Sequence, residues 1–539
     1  MKKIIFLLLL NLLLFSCARV GAPNGGTRDS LAPKFLGSNI DTTRLNVSRT
    51  VKELRLDFDE YVMLKDFNKN FNVSPPIKKI KKVIPSNLAN KYVLIQWEDT
   101  LQANTTYNFN FGNAIVDNNE SNPLPYFNFA FSTGDKIDDL FVSGTVKDAM
   151  TLIKENQTAK DNKMVVGLYK AGENLDYKQK PDYITKVDEE NYFELNFLPK
   201  GEFVIIAFDD ENQNSVYDAG KEKVSFLKEK ITLDSTSVRG LKLKLYPSKK
   251  VVKYKESKAI NGGLLMTFEG NPETVDVKSL SEDLKDFKVT HAKRSDSVNI
   301  WFDAEKSNLG GTVSKQLKLS YFTPTISDTI SVSYKAVKDE FKLSNEAGNL
   351  IAPENNFVIN TSLPIENLNT SSWKLESDSI AQDFTAKISE KNPFKILVNS
   401  SFKPTKKYVL TIPKETVSSY YSSNDKSFQF QFEIDKPENY GSFTAVIKNK
   451  PTAKFWVELT NEKGEILYSQ FTNASEVSFK NLKPATYIAR IRVDNNGNGF
   501  WDEADFAQNI AAEDVYIFEK EINVRPLWEI KEDWELTNR

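Results

Sequence analysis

The stretch Leu101-Gln102-Ala103-Asn104-Thr105-Thr106-Tyr107-Asn108-Phe109-Asn110-Phe111, answered at 127 by Phe127-Asn128-Phe129-Ala130-Phe131, decides how this chain is read. A polar turn leads into segments in which aromatic and small or polar residues alternate, and a period of two puts one face in a core and the other in water. Leu54-Arg55-Leu56-Asp57-Phe58 carries the same alternation. Further out, Phe402-Lys403-Pro404-Thr405-Lys406-Lys407-Tyr408 repeats the cadence, and its next strand starts at Phe428, the same distance beyond the tyrosine as Phe127 lies beyond Tyr107. With 36 Phe and 20 Tyr the chain is rich in rings that suit a half-buried pleated surface. Long helical periodicities are few. Short strands between Asn, Asp, Gly and Pro turns predict an all-β chain of tandem sandwiches.

At 539 residues the chain exceeds what one core supports. Five β-rich units are expected: 35–138, 139–248, 249–362, 363–436 and 437–527, with 528–539 as a C-terminal tail. One cysteine (Cys17) excludes a disulfide framework, and one histidine (His291) excludes a multi-histidine zinc site. A net charge of −2 gives no basic footprint for nucleic acid.

The amino terminus carries an address. Lys2 and Lys3 precede an apolar run from Ile4 to Phe15 broken only by Asn11, too short to span a bilayer but suited to a signal-peptide core. It ends in Leu14-Phe15-Ser16-Cys17, which resembles the lipobox of bacterial lipoproteins. The resemblance implies that residues 1–16 are removed and that Cys17 becomes the acylated first residue, anchoring the chain by lipid alone. Residues 17–34, with Gly21, Pro23, Gly25, Gly26 and Pro33, read as a flexible tether. Ala18 and Arg19, where inner-membrane lipoproteins carry Asp, resemble the outer-membrane class; the leaflet, periplasmic or surface, stays open.

Ile115-Val116-Asp117-Asn118-Asn119-Glu120-Ser121-Asn122-Pro123, set between the Tyr107 and Phe127 strands, resembles the Asp-rich loop of the S-layer-type bacterial Ig-like domain, and Asn345-Glu346-Ala347-Gly348-Asn349-Leu350 is a second copy. This resemblance implies a sandwich over 35–134, and looser relatives over about 255–362 and 363–436. It implies no chemistry.

A second repeat is sharper. Leu198 and Leu482 each precede a Pro-containing turn and a strand that runs into Asp-x-Asn-x-Asn-x-x-x-Asp: Asp210, Asn212, Asn214 and Asp218, then Asp494, Asn496, Asn498 and Asp502. Tyr217 and Trp501 stand just before the last Asp. The surrounding units resemble transthyretin-like or carboxypeptidase regulatory-like domains, with Val142-Ser143-Gly144-Thr145-Val146 as the opening strand. Oxygen ligands at positions 1, 3, 5 and 9 suit a structural calcium ion. The second loop adds Gly497 and Gly499 for turning and Asp505 at position 12, where the first has Lys221. The same residues also suit an Asx-rich turn whose side chains bond their own backbone.

Other features read as structural. His291 belongs on a strand surface. Lys78, Lys79, Lys81 and Lys82 belong on a protected sheet edge or against anionic lipid. Asp57-Phe58-Asp59-Glu60 supplies paired acids with no supporting pattern. Trp528 and Trp534 stand in the acidic tail, either as docking residues or as a last strand. The expectation is a non-enzymatic, lipid-anchored outer-membrane protein serving as a scaffold or protein-interaction module of the cell envelope, a specific version being an accessory subunit of an outer-membrane assembly complex. The alternatives are a carbohydrate-binding surface lipoprotein and a carboxylate-dependent glycan hydrolase.

Overall fold

Alternation decides which residues meet. In the computed structural model, which describes residues 29–152, 163–172, 176–337, 340–346 and 348–536, Leu54, Leu56, Phe58, Phe109, Phe111, Phe129 and Phe131 all turn into one core. Nearly every element is a strand. Cys17 and the signal segment lie outside the described residues.

The first unit is a sandwich. Phe35–Ser38, Glu53–Leu64, Asn90–Trp97 and Ile80–Ile84 form one sheet in that order, with Ile115–Asp117 added against Glu53–Leu64. Asn72–Ser74, Thr106–Gly112 and Phe127–Ser132 form the other. The repeat seen in the sequence is built identically at its corner: the Gln102 N–H donates to the Tyr107 hydroxyl at 2.8 Å, and the Lys403 N–H donates to the Tyr408 hydroxyl at 2.9 Å. Ile80–Ile84 is an edge strand, and Lys79, Lys81 and Lys82 stand exposed on it or beside it.

The middle boundary differs from the expected one. The third sandwich is complete with Lys253–Ile260, Gly263–Glu269, Ser297–Trp301 and Lys288–His291 facing Asp276–Ser279, Lys315–Phe322 and Ser327–Tyr334. Leu343–Asn345, Leu350–Ile351 and Phe357–Thr361 pair instead with strands of the fourth unit, and Phe341, Leu343, Phe357 and Ile359 fill its core. The division therefore falls near 340 rather than 362, because 363–436 alone lacks the strands to close its two sheets.

The second and fifth sandwiches match strand for strand. In the second, Tyr192–Leu198, Leu140–Asp148 and Val238–Leu245 form a three-stranded sheet. It faces Tyr183–Lys186, Met164–Lys170, Gly201–Asp209 and Val224–Phe226, with Ile231–Leu233 alongside. In the fifth, Glu476–Leu482, Gly441–Lys448 and Glu529–Glu535 face Ile466–Thr472, Phe455–Thr460, Ala485–Val493 and Val515–Ile517, with Ile522–Val524 alongside. First and last strands pair in parallel in both. The tail set apart at 528–539 is thus, over Glu529–Glu535, the closing strand of the last sandwich. Trp534 is buried against Phe518 at 5.3 Å, whereas Trp528 stays half-exposed.

The units also touch beyond their chain order. The Ile184 N–H donates to Ser74 Oγ, joining first and second. Trp301 of the third packs into the core of the fourth, where its ring lies 6.0 Å from Phe394. The fifth returns to the second, through the loop described next. Replacing Trp534 by Ala is expected to cost the last sandwich about 3–5 kcal/mol, as large buried-to-Ala changes do. Denaturant unfolding followed by near-ultraviolet signals from that unit checks it.

Candidate functional site

Each acidic loop begins where a core strand leaves its sheet, so its first Asp is carried below the surface. Asp210 and Asp494 are buried. Asp494 accepts the N–H groups of Asn498 and Gly499, each at 3.0 Å, and Asp210 accepts those of Asn214 and Ser215 at the same distances. Asn496 Oδ1 accepts the Asn498 N–H, and Asn498 Oδ1 accepts that of Phe500; Asn212 and Asn214 do the same with Asn214 and Val216. The two backbones follow one path. Gly497 and Gly499 sit at φ 72° and 81°, and Gln213 and Ser215 hold the equivalent positions at 58° and 63°, a conformation that favours glycine.

A third carboxylate closes each loop, one the sequence reading did not single out. Glu222 accepts the N–H groups of Glu211 (3.0 Å) and Asp218 (2.8 Å). Glu513 accepts those of Asn495, Asn496 and Asp502. Burial pushes the Glu222 carboxyl up to about 7, with Asp210 and Asp218 adding to it against the two backbone donors, and raises Glu513 in the same direction.

In this structure the side chains form an Asx-turn cage. Asp502 Oδ2 receives the amide nitrogens of Asn496 (2.5 Å) and Asn498 (2.7 Å), and Oδ1 receives the Arg294 guanidinium at 2.7 Å. Every side-chain oxygen of Asp494, Asn496, Asn498 and Asp502 is engaged. Arg294, reaching over from the third sandwich, brings a positive charge to Asp502. Burial works against the Asp502 carboxylate, but the two amides and Arg294 outweigh it and hold its pKa below the ordinary Asp value. Asp505 stands apart, accepting the Gln508 N–H as the cap of a short 3-10 turn. Asp218 accepts the Asn212 amide at 2.7 Å, the counterpart of the Asn496–Asp502 bond. Among the described residues no group of three His, Cys, Asp or Glu side chains is placed to hold a metal ion.

What the second loop does instead is clasp. Beyond Asp502 it extends over the second sandwich, where Phe506 enters an apolar patch with Tyr177, Tyr217, Phe226 and Phe208. The Ala504 N–H donates to the Pro247 carbonyl, and the Lys249 N–H donates to that of Ala504. Asn509 Nδ2 reaches the Lys228 carbonyl at 3.2 Å. Arg294 also lies 4.7 Å over the Phe500 ring and pairs with Glu273 at 2.5 Å. Three sandwiches therefore meet at one loop.

The remaining expected positions fall elsewhere. His291 Nε2 lies 3.0 Å from the Ser295 carbonyl inside a hairpin. Asp57 pairs with Arg55, and Asp59 accepts the Lys34 N–H, so this acidic run is part of the first sandwich's own bonding. Asp117 of the Ig-like loop accepts four successive backbone N–H groups, from Asn119 to Asn122, which makes that loop a turn of the same kind as the other two.

Residues 29–133 match the family model of the bacterial Ig-like domain. No curated protein matches the chain. Among solved structures it is similar to the S-layer protein rSbsC, at 12% identity over 92% of this chain and 67% of that one, with a TM-score of 0.15. It is also similar to the Bacillus anthracis TIE protein, at 11% over 95% and 76% with a TM-score of 0.13. A third is the major pilin subunit of Bacillus cereus, at 11% over 74% and 99%, also 0.13. The matched domain is the point of contact with a known family.

Two measurements test this site. Because the Glu222 carboxyl is raised in the folded state, the folded form favours its protonated state, and stability falls as pH rises from about 4.5 to about 7. Glu222→Gln should flatten the denaturation midpoint across that window, while an unchanged slope would show that another group carries it. Adding millimolar calcium to the full chain should leave its melting temperature unmoved, since Arg294 and the backbone already saturate the second loop; a rise of several degrees would show that the cage opens to take the ion.

Proposed function

We propose that the chain is a non-enzymatic, lipid-anchored outer-membrane protein that serves as a scaffold or protein-interaction module of the cell envelope, as an accessory subunit of an assembly complex there. The observation that carries the scaffold role is the clasp. The second, third and fifth sandwiches are fixed to one another by Phe506, Ala504 and Arg294, so the body holds its surfaces at set distances. The anchoring rests on the lipobox-like Leu14-Phe15-Ser16-Cys17 and the run before it. An acyl chain contributes about 0.8 kcal/mol per buried methylene, and two or more chains at Cys17 hold a protein at a bilayer without a membrane helix. The Gly- and Pro-bearing stretch 18–28 serves as a tether that gives the body reach, since Lys34 is already bonded to the first sandwich, and lipidation raises its local concentration near membrane partners.

Of the acids the sequence offered for a carboxylate hydrolase, Asp57 pairs with Arg55 and Asp59 accepts the Lys34 N–H, which leaves Glu60, raised by burial and the neighbouring Asp117, beside partner acids that are already engaged. Carbohydrate stacking needs flat, open rings on one sheet, and Trp456 and Phe471 of the last sandwich are stacked on each other at 4.4 Å.

Growth of the producing cells with an alkyne-bearing palmitate should label the full-length protein in the membrane fraction, and Cys17→Ser should abolish both labelling and membrane retention. An unlabelled native protein would end the anchoring proposal. Gentle detergent extraction of a tagged form should recover partners in fixed stoichiometry, and recovery of the chain alone would end the assembly role.

A further inference from the structure

The two matching sandwiches use one face oppositely. In the second, the outer face of the larger sheet carries Val165, Gly167, Tyr169, Ile206 and Phe208, and it is covered twice. Phe506 sits on one part. Its own connection between Met164–Lys170 and Tyr183–Lys186 crosses the rest, so closely that a Cβ on Gly167 would lie 2.4 Å from Pro181. In the fifth, registering Asp494 on Asp210 puts Trp456, Glu458, Thr460, Arg490 and Arg492 at those same points. Here the crossing segment shrinks to the turn 461–465, which bonds within itself through Asn461 and Glu465, and the second sandwich meets the end of this face through Tyr246, whose ring lies 6.4 Å from Trp501.

The residues left on that face are charged and aromatic. Glu458 is fully buried, with both its oxygens taken: Arg490 grips one through Nε (2.9 Å) and a terminal nitrogen (2.7 Å), and Arg492 grips the other through Nε (3.0 Å) and a terminal nitrogen. Two guanidiniums on one carboxylate leave a positive charge in excess. The Lys454 ammonium, 5.6 Å over the Phe471 ring, adds a second. Phe471, Trp456, Arg492 and Trp501 form a row, with Trp456 stacked 4.4 Å from Phe471 and the Arg492 carbon 5.9 and 5.8 Å from the two indoles. Phe471 is 44% exposed and the Arg492 side chain 23%.

We propose that this face of the last sandwich docks an acidic segment of a protein partner, its carboxylates seated on Arg492 and Lys454 between the aromatic edges. The proposal names the partner chemistry for the interaction role above, and it stands whether or not Cys17 is acylated. Charge selects the acidic occupant: the patch is positive on a chain whose formal charge is −2. Geometry selects protein over glycan, because Trp456 and Phe471 each give one ring face to their mutual stack and Lys454 and Arg492 lie against the same rings. Arg and Trp in a desolvated cluster are also the side chains that dominate protein interfaces.

The test is isothermal titration calorimetry of the detergent-solubilised full chain with three probes: a 12-residue peptide alternating Glu and Val, its Lys/Val counterpart, and an oligouronate of matching charge. The Glu/Val peptide should bind with an affinity that falls as salt rises, and the Lys/Val peptide should not bind. Arg492→Gln and, separately, Phe471→Ser should each weaken binding about tenfold or more. Phe471 is half-exposed, so its replacement leaves the fold intact even if Arg492→Gln disturbs the buried Glu458. Arg239→Gln on the second sandwich should change nothing. Equal binding of both peptides, tighter binding of the oligouronate, no saturable binding of the acidic peptide at millimolar concentration, or full affinity in the Phe471 variant would each overturn the proposal. None of these outcomes bears on the Cys17 labelling, so the two readings fail separately.

Discussion

The structure depends on one insertion: Phe506, carried on a loop of the last sandwich, lies among Tyr177, Tyr217 and Phe226 of the second. Burying a phenylalanine side chain contributes about 1.5–3 kcal/mol, modest beside the core of any one unit. Its effect is large because of where it acts. Without it the direct join between the second and fifth units is reduced to a few hydrogen bonds at Ala504 and Asn509, and domains joined in series move about their linkers by default. With it, and with Arg294 on Asp502, the path closes and the intervening units lose their freedom together. The acidic loop is what makes this insertion precise. Asp494 and Glu513 fix the backbone from 494 to 502 through five N–H groups, so the segment that follows starts from a defined point.

The two copies of the transthyretin-like unit show how one topology is put to two uses. Both run into an Asx-rich loop held by a buried Asp and a buried Glu. In the first copy the loop is short: its Tyr217 receives Phe506, and its Asp210, Gln213 and Ser215 line a small cavity with Asn68, Phe71 and Asn72 of the first sandwich. In the second it is extended by Asp505–Ala512, and the extension is the clasp. The receiving surface changed in parallel: the first copy's larger sheet is apolar on both faces, one packed on its own core and the other on Phe506.

Much of this was legible in the strands themselves. Met164-Val165-Val166-Gly167-Leu168-Tyr169 is an unbroken apolar run, the signature of a strand buried on both faces, whereas Phe455-Trp456-Val457-Glu458-Leu459-Thr460 places polar residues on its second face, yet Glu458 and Thr460 are buried there too. The Tyr107 and Tyr408 repeat gave both corner hydrogen bonds, and the Asp210 and Asp494 repeat brought together the residues it named apart from Asp505. The last strand was also recoverable, since the first copy ends in Val238–Leu245 and the second needs an equivalent beyond 527. Sequence spacing hid the rest for a physical reason. Glu222 and Glu513 lie at different distances from their Asp, 12 and 19 residues on, because only the folded loop sets them under the same amides. Arg294 and Phe506 act across units, and nothing in local pattern reports which distant surface a side chain will meet. The 340 boundary was missed because Leu343–Asn345 and Phe357–Thr361 are ordinary strands whose partners are decided by pairing, not by periodicity.

The charged face of the last sandwich is best understood against its apolar twin. Removing two arginines and a glutamate from water costs several kcal/mol per ion, and replacing such buried triads by apolar side chains of similar size is commonly neutral or stabilising. The second sandwich shows that this topology folds with Gly167, Ile206 and Phe208 at the very positions of Glu458, Arg490 and Arg492. The fold therefore does not ask for the charges. Nor does the chain cover them as it covers the equivalent face, by a long crossing segment and an inserted phenylalanine. A cluster that is costly to build, unnecessary for folding and left with Arg492 and Phe471 open at its rim is accounted for by something outside the chain that carries the opposite charge.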